Sequence, residues 1–158
     1  MHLTGGCACQ SIRYECTEAP IVQLLCHCRA CQYATGSAFA AIMMVAADKF
    51  SFLKDEPSCH EVIGGTGRKF RRGFCPKCGS PVTLHWTEVP TVQMIQVGSL
   101  DDPSRFEPQT EIWLSSGYSW HSTNPQAEKF KKGTITILDR LDAYFAIRGR
   151  AEWWNDRV

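Results

Sequence analysis

Short runs of β-branched, aliphatic and aromatic residues recur along the chain, and Gly, Pro, Asn and Asp separate them. The lengths of these runs and the spacing of the turn residues favour an all-β fold over an α/β fold. The pattern therefore predicts mainly strands. The predicted strands cover residues 12–16, 37–45, 69–74, 82–86, 92–97, 111–114 and 134–138.

Helix signals are few and short. The sequence allows a helix after Cys28 and another after Pro103, and residues 139–154 are compatible with a C-terminal helix that Gly149 interrupts. Trp153 and Trp154 are expected to pack on a sheet rather than to form a platform for a ligand. We therefore expect packed sheets accompanied by a few short helices.

Length and composition narrow the class of protein. The 158 residues fit one domain spanning 1–158, and 44 % hydrophobic residues can build a core. A net charge of +1 does not favour a dedicated nucleic-acid-binding protein. The most apolar stretch, 37–47, is about half the length that a membrane-spanning helix needs. No secretory signal is recognised, so a cytoplasmic protein with no membrane or nucleic-acid partner is expected. The oligomeric state is not indicated.

Nine cysteines are the main chemical signal in the sequence. In a reducing compartment a cysteine-rich chain indicates metal binding or catalysis more than disulfides, and an odd number cannot all pair internally. A lone C-x-x-C motif can also be a redox site, but no β-α-β pattern surrounds this one. Seven of the cysteines fall into three close groups: Cys7 and Cys9; Cys26, Cys28 and Cys31; Cys75 and Cys78.

Ligand counting divides these seven thiols between two zinc ions. A structural zinc takes four ligands, and the two cysteine pairs Cys7, Cys9, Cys75 and Cys78 supply them, with Gly79 permitting the tight turn. The trio Cys26, Cys28 and Cys31 then holds a second zinc with one open position, as expected of a functional site. Loss of the first zinc is expected to unfold the protein, because such sites contribute roughly 10–16 kcal/mol.

Three thiolates give the second zinc a net negative charge, which weakens its ability to acidify water. A site that accepts a soft ligand, such as a thiol cofactor, therefore fits better than a hydrolase. Arg29, or the group formed by Arg68, Lys69, Arg71 and Arg72, would balance the added negative charge. The alternative is that these four residues form a solvent-exposed surface without a functional role.

The remaining histidines and cysteines receive simpler interpretations. His27 lies between two ligands and, in an extended chain, points away from the metal, so a supporting or surface role is expected. Cys16 and Cys59 have no partner in sequence and are expected to be buried and inert. The pair Cys59 and His60 is the alternative source of further ligands for the second zinc.

Further motifs accompany the cysteine groups. The full set is Gly5-Gly6-Cys7-Ala8-Cys9, Arg13-Tyr14, Cys26-His27-Cys28-Arg29-Ala30-Cys31, Gly36-Ser37-Ala38-Phe39, Phe74-Cys75-Pro76-Lys77-Cys78-Gly79-Ser80-Pro81 and the region from Trp113 to Trp120. Their arrangement resembles the glutathione-dependent formaldehyde-activating enzyme family, also called the CENP-V/GFA domain family. The resemblance covers about 3–130 and leaves 131–158 as a C-terminal extension. Gln10 departs from the pattern, because many members have glycine there.

The resemblance implies a β-tent of packed antiparallel sheets and the same division of cysteines between a structural and a functional zinc. It also implies carbon–sulfur lyase chemistry on a small-molecule thiol, glutathione, and an aldehyde such as formaldehyde. In this hypothesis Cys26, Cys28 and Cys31 carry the catalytic zinc, and Arg29, Arg68 and Arg71 bind the thiol cofactor. Two alternatives stay open: a glutathione or thiol carrier without turnover, and a zinc scaffold for protein interaction.

Overall fold

The computed structural model describes residues 2–64 and 66–149, which form eleven strands and two α-helices, so the mainly β prediction is confirmed. The strands are β1 (Leu3–Gly6), β2 (Arg13–Cys16), β3 (Val22–Cys26), β4 (Ala40–Ala46), β5 (Phe50–Phe52), β6 (Ser58–Ile63), β7 (Lys69–Phe74), β8 (Pro81–Trp86), β9 (Val92–Gln96), β10 (Thr110–Ile112) and β11 (Glu128–Lys129). The helices are α1 (Arg29–Thr35) and α2 (Thr136–Ile147).

The strands form two sheets. A three-stranded sheet has the order β1-β2-β5, and an eight-stranded sheet has the order β11-β10-β3-β4-β9-β8-β7-β6. Neighbouring strands are antiparallel except at one edge, where β10 runs parallel to both β3 and β11. β6 forms the opposite edge of the larger sheet.

The eight-stranded sheet has a hydrophobic core on each face, and β4 contributes to both. Ile42 and Met44 belong to the core beneath α2, whereas Met43 and Val45 belong to the core beneath the three-stranded sheet. Successive residues of a strand point to opposite faces. A strand covered on both faces therefore has a continuous apolar run, which explains the composition of this part of the sequence.

The predicted strand over 134–138 is wrong, because α2 begins at Thr136. Ile137, Leu141 and Phe145 are the buried residues of this helix, and their spacing of four is helical. The β-branched composition of 134–137 hid this periodicity. The predicted helix over 139–154 therefore starts earlier, at Thr136, and its last predicted residues, with Trp153 and Trp154, lie outside the described residues.

Five strands escaped prediction: β1, β3, β5, β6 and β11. β1 contains Gly5 and Gly6, which predicted a turn, but a Cβ at Gly5 would lie 2.3 Å from the hydroxyl of Tyr14, so the strand requires glycine there. β6 is almost wholly exposed and has no apolar alternation. The helix expected after Cys28 is confirmed as α1, and a 3₁₀ turn, Pro103–Arg105, follows Asp102. Within the described ranges, each helix is too short or too polar to cross a membrane.

Candidate metal centres

Two turns bring four cysteines together at the junction of the two sheets. The first turn follows β1, the second follows β7, and their sulfur atoms all lie within 4.8 Å of one another. Sγ of Cys9 is 3.4 Å from Sγ of Cys7 and 3.7 Å from Sγ of Cys75. A tetrahedron with zinc–sulfur bonds of about 2.3 Å has edges of about 3.8 Å. This four-cysteine cluster, which could hold a metal ion, consists of Cys7, Cys9, Cys75 and Cys78.

Backbone geometry in the two turns aims the thiols at one point. The N–H of Gly79 donates to the carbonyl of Cys75 at 2.8 Å, and the N–H of Gln10 donates to the carbonyl of Cys7 at 2.9 Å. Both turns end in the left-handed region, with φ of 75° at Gly79 and 62° at Gln10. Glycine adopts this conformation readily, but glutamine is strained in it.

The surroundings of the four-cysteine cluster favour the thiolate form of Cys7 and Cys78, whereas the neighbouring thiols raise the pKa of Cys9. Burial opposes ionisation of Cys7, but the N–H of Ile12, 3.3 Å from its sulfur, and the hydroxyl of Ser11 lower the pKa of Cys7 to about 5. The hydroxyl and backbone N–H of Ser80 lower the pKa of Cys78 to about 7. Because metal-bound cysteines are thiolates, these donors suit the cluster to a cation such as zinc.

A second cluster lies in one short segment at the end of β3. Cys26 ends that strand, Cys28 precedes α1, and Cys31 lies in the first turn of α1, where its N–H donates to the carbonyl of Cys28 at 2.9 Å. All three thiols are buried, and their sulfur atoms lie within 4.8 Å of one another. No fourth His, Cys, Asp or Glu from residues 2–64 or 66–149 joins this three-cysteine cluster.

The three thiols influence one another strongly. Hydrogen bonds from Cys26 and Cys31 hold the pKa of Cys28 far below its usual range, and the same contacts raise the pKa of Cys26. Arg72 adds a favourable charge, because its Nη2 lies 3.8 Å from Sγ of Cys31. The three-cysteine cluster can therefore hold a negative charge although it is buried.

The three-cysteine cluster forms part of the wall of a cavity of about 510 Å³. Most of the lining is aliphatic or aromatic, and the charged lining residues among those described are Arg68 and Arg72. Two buried nitrogen atoms in this lining, Nη1 of Arg72 and Nε1 of Trp86, have no hydrogen-bond partner within the described part of the chain. Buried donors in folded proteins are nearly always paired, so this pair indicates a place for an acceptor from a ligand.

Comparisons with known proteins identify relatives of the chain. The profile of the family described as glutathione-dependent formaldehyde-activating enzyme matches residues 2–116. The chain belongs to this family. A search of curated proteins finds no significant match. A Rhodobacter sphaeroides protein of known crystal structure is 15 % identical, with a TM-score of 0.48 over 80 % of this chain and 98 % of its own.

The family range is close to the predicted one at its start but ends earlier, at 116 instead of about 130. It includes both cysteine clusters of this GFA-family protein and stops within the segment from Trp113 to Trp120. α2 lies wholly beyond the matched range. The family assignment therefore covers the thiols but not every wall of the cavity.

The arginines predicted to balance the negative charge at the second metal site lie in different places. Arg68 lines the cavity, and so does Arg72, because alternate residues of β7 face inward. Arg71 faces outward and is exposed, so the structure does not bring it to the cysteines. Arg29 is exposed, donates hydrogen bonds to Tyr118 and Gln32, and does not belong to the cavity lining. Strand register, which motif spacing does not reveal, decides between Arg71 and Arg72.

His27 is buried and supports the three-cysteine cluster from behind. Its Nε2 lies 2.9 Å from Oε2 of Glu111, whose Oε1 accepts a hydrogen bond of 2.5 Å from the N–H of Asn124. Nε2 of Gln32 donates to the carbonyl of His27 at 2.9 Å, which fixes the segment between Cys26 and α1. The supporting role predicted for His27 is thus favoured over a surface role. Glu111 was missed as a supporting residue, although an acidic residue within a predicted strand is itself a signal.

The two remaining cysteines, Cys16 and Cys59, lie in different environments. Cys16 is buried, as expected, but Cys59 is exposed on the edge strand β6, so the expectation of a buried thiol is wrong there. β6 is an edge strand with one side open to solvent, and the position of Cys59 in the sequence does not reveal this. Cys59 and His60 do not join the three-cysteine cluster. The alternative that they complete the second metal site receives no support.

Proposed function

We propose that this protein catalyses the reversible addition of a carboxylate-bearing thiol, such as glutathione, to an aldehyde, which is carbon–sulfur lyase chemistry in the reverse direction. The observation that carries the proposal is the three-cysteine cluster in the wall of a cavity that also contains two guanidinium groups. The family's description, which names glutathione and formaldehyde, supports the same chemistry.

The cysteine clusters fit two zinc ions with different tasks. Cys7, Cys9, Cys75 and Cys78 would enclose a structural zinc completely. Cys26, Cys28 and Cys31 would hold a second zinc and leave one position for a ligand. Zinc bound there would lower the pKa of an incoming thiol and orient it.

The chain's own residues would bind and orient the substrates. Glutathione carries two carboxylates, and Arg68 and Arg72 offer two guanidinium groups to them. In the addition, a sulfur electron pair forms the C–S bond to the aldehyde carbon and the carbonyl π pair moves to oxygen. The oxygen then takes up the proton that the thiol lost. The apolar walls exclude water, and cleavage of the adduct follows the same steps backwards.

A thiol carrier without turnover is the second candidate, and one observation favours it. The cavity lining contains no His, Asp or Glu among the described residues, so no general acid or base stands beside the reacting atoms. Hemithioacetal formation needs little help once the thiolate is positioned. The two functions therefore differ in one rate. An enzyme would exchange free aldehyde with the thiol-bound form faster than the spontaneous reaction does, and a carrier would not.

Native mass spectrometry of protein purified without oxygen, with and without millimolar glutathione, tests the proposal. The unsubstituted protein is expected to carry two zinc ions and one glutathione. Cys28→Ser should lose one zinc and the glutathione, whereas the matched control Cys59→Ser, which changes an exposed thiol on β6, should keep both. NMR exchange rates of glutathione with formaldehyde then separate enzyme from carrier. Two zinc ions without glutathione would contradict both functions and favour a scaffold for protein interaction.

A further inference from the structure

One wall of the cavity comes from a segment that the family match does not reach. Gly133, Thr134, Ile135, Ile137 and Leu138 all line it, and all lie beyond residue 116. Three of these five residues have large aliphatic side chains. The residues that shape this side of the cavity are therefore a property of this chain, and the family description does not specify what they accommodate.

The opposite walls are also apolar. Ile42, Met44 and Met94 project from the central strands of the eight-stranded sheet, and Phe70 and Trp86 lie on paired positions of β7 and β8 with ring centroids 5.8 Å apart. The cavity volume of about 510 Å³ is in the range of sites for drug-sized ligands. Formaldehyde contributes only two non-hydrogen atoms to an adduct with a thiol and adds almost no apolar surface. It would therefore make few contacts with these apolar walls.

The charged groups of the lining come from one stretch of the chain, because Arg72 lies on β7 and Arg68 directly precedes that strand. Arg72 lies beside Cys31, and Arg68 is 5.9 Å from the ring of Trp86. A peptide-like thiol has amide groups that lose hydrogen bonds if they are buried against aliphatic walls. The charged part of such a thiol therefore belongs at the arginines. The apolar remainder of the cavity is free for the group that the aldehyde contributes.

Trp113 strengthens this assignment. It adopts φ of 62°, a conformation that is unfavourable for a bulky residue, and its side chain lines the cavity. Hydrogen bonds fix the backbone here, because the N–H of Trp113 donates to the carbonyl of Lys132 at 3.1 Å. Backbone strain of this kind is concentrated at ligand sites. The same contact ties the family-matched part of the chain to the segment that forms the additional wall.

We propose that the cavity takes the adduct of an anionic thiol with an aldehyde that carries an apolar group of roughly hexyl or phenyl size, and that 133–138 sets this preference. The inference rests on the proposed function and narrows its substrate class. The reaction is the same balanced addition: the thiol and the aldehyde give one hemithioacetal, and its cleavage returns both. The apolar group of the aldehyde contacts Ile137, Leu138 and the aliphatic lining residues of β4 and β9.

Binding of two stable thioethers, S-methylglutathione and S-hexylglutathione, measured by isothermal titration calorimetry, tests this inference without turnover. Burial of one methylene group strengthens binding about fourfold. S-Hexylglutathione, with five more methylenes of which some stay exposed, is expected to bind at least about 30-fold more tightly, with one site per chain. Equal affinities of the two compounds would overturn the inference.

Variants of α2 locate the effect. Leu138→Gln places a polar group on the half-buried cavity wall and should weaken S-hexylglutathione about tenfold while leaving S-methylglutathione unchanged. Leu138→Met keeps the wall apolar and should bind both compounds as the unsubstituted protein does. Ile147→Gln, at an 85 % exposed position of the same helix, is the matched control and should change neither affinity. An equal loss with Leu138→Gln and Ile147→Gln would refute the role of the wall.

Exchange rates with formaldehyde and with hexanal separate this inference from the proposed function. Acceleration with hexanal above that with formaldehyde supports both. Acceleration with formaldehyde alone, together with equal thioether affinities, overturns the substrate class and leaves the function intact. Binding of neither thioether and acceleration with neither aldehyde would contradict the proposed function itself.

Discussion

The two cysteine clusters use the same ligand type in different surroundings. The four-cysteine cluster joins turns that are more than sixty residues apart in the chain, and two of its thiols, Cys9 and Cys78, are exposed. The three-cysteine cluster comes from one segment of six residues, is fully buried and lines a cavity. The first cluster has four cysteines, of which Cys7 alone lines a neighbouring cavity of about 470 Å³, whereas the second has three cysteines that all line the cavity of about 510 Å³. Ligand number and surroundings together distinguish a structural from a functional metal site.

The largest expected difference between the clusters concerns stability. Cys75→Ser removes one of the four cysteines that we propose hold a structural zinc between the two sheets, and such a zinc contributes roughly 10–16 kcal/mol against a typical net stability of about 5–15 kcal/mol. We expect this variant to be unfolded or to lose more than about 5 kcal/mol of unfolding free energy. Urea denaturation followed by circular dichroism, together with zinc analysis, measures the effect.

Cys28→Ser provides the contrast on the other cluster. Its segment is already held by Gln32 and by the contact of His27 with Glu111, so the loss should stay below about 2 kcal/mol. Treatment with a chelator should follow the same order, with the zinc of the three-cysteine cluster leaving before the fold is lost. Comparable destabilisation by the two substitutions would show that both clusters are structural.

The next effect concerns recognition of the thiol and depends on strand register. Arg72→Gln removes the guanidinium beside Cys31, and a hydrogen bond to a charged group is typically worth about 1.5–3 kcal/mol. We expect glutathione to bind at least about tenfold more weakly to this variant in calorimetric titrations. Arg71→Gln, one residue away but on the exposed face of β7, is the matched control and should bind glutathione normally. Equal losses in the two variants would indicate general electrostatic attraction in place of a specific contact.

Arg72 also shows where sequence-based prediction ends. Both cysteine clusters were predictable, because ligand spacing is local and ligand number is fixed by the metal. The choice between Arg71 and Arg72 depends on which residues of β7 face inward, and charge patterning alone does not reveal that. Ile137 and Leu138 escaped for a related reason: β-branched residues in 134–137 predicted a strand, but packing of Ile137, Leu141 and Phe145 on the sheet stabilises a helix.

Glu111 and His27 illustrate a different limit. They are 84 residues apart in sequence, and their contact arises because β10 lies parallel to β3. The resemblance implies antiparallel sheets, so it does not predict the parallel pairing of β10 with β3. Motif spacing therefore locates the thiols, while the residues that support and surround them depend on long-range topology.

The smallest expected effect concerns the turn of the four-cysteine cluster. Gln10 has φ of 62°, where a non-glycine residue is strained by about 1–2 kcal/mol, and glycine relieves this strain at an entropic cost of about 0.5–1 kcal/mol. Gln10→Gly also loses the hydrogen bond of 3.0 Å from Arg13 to its side chain. The net expected change is a gain of about 0.5 kcal/mol in unfolding free energy. Urea denaturation of the zinc-loaded protein measures it.

Ala8→Gly in the same turn is the matched control for this prediction. Ala8 has no left-handed conformation to relieve, so glycine there should destabilise the protein by about 0.5–1 kcal/mol. Opposite signs for the two substitutions would show that backbone conformation, and not the number of glycines, limits the stability of this turn. Destabilisation by both would mean that the side-chain contacts of Gln10 outweigh its strain. Glutamine would then be favourable at this position despite its left-handed conformation, because its side-chain contacts hold the turn of the four-cysteine cluster.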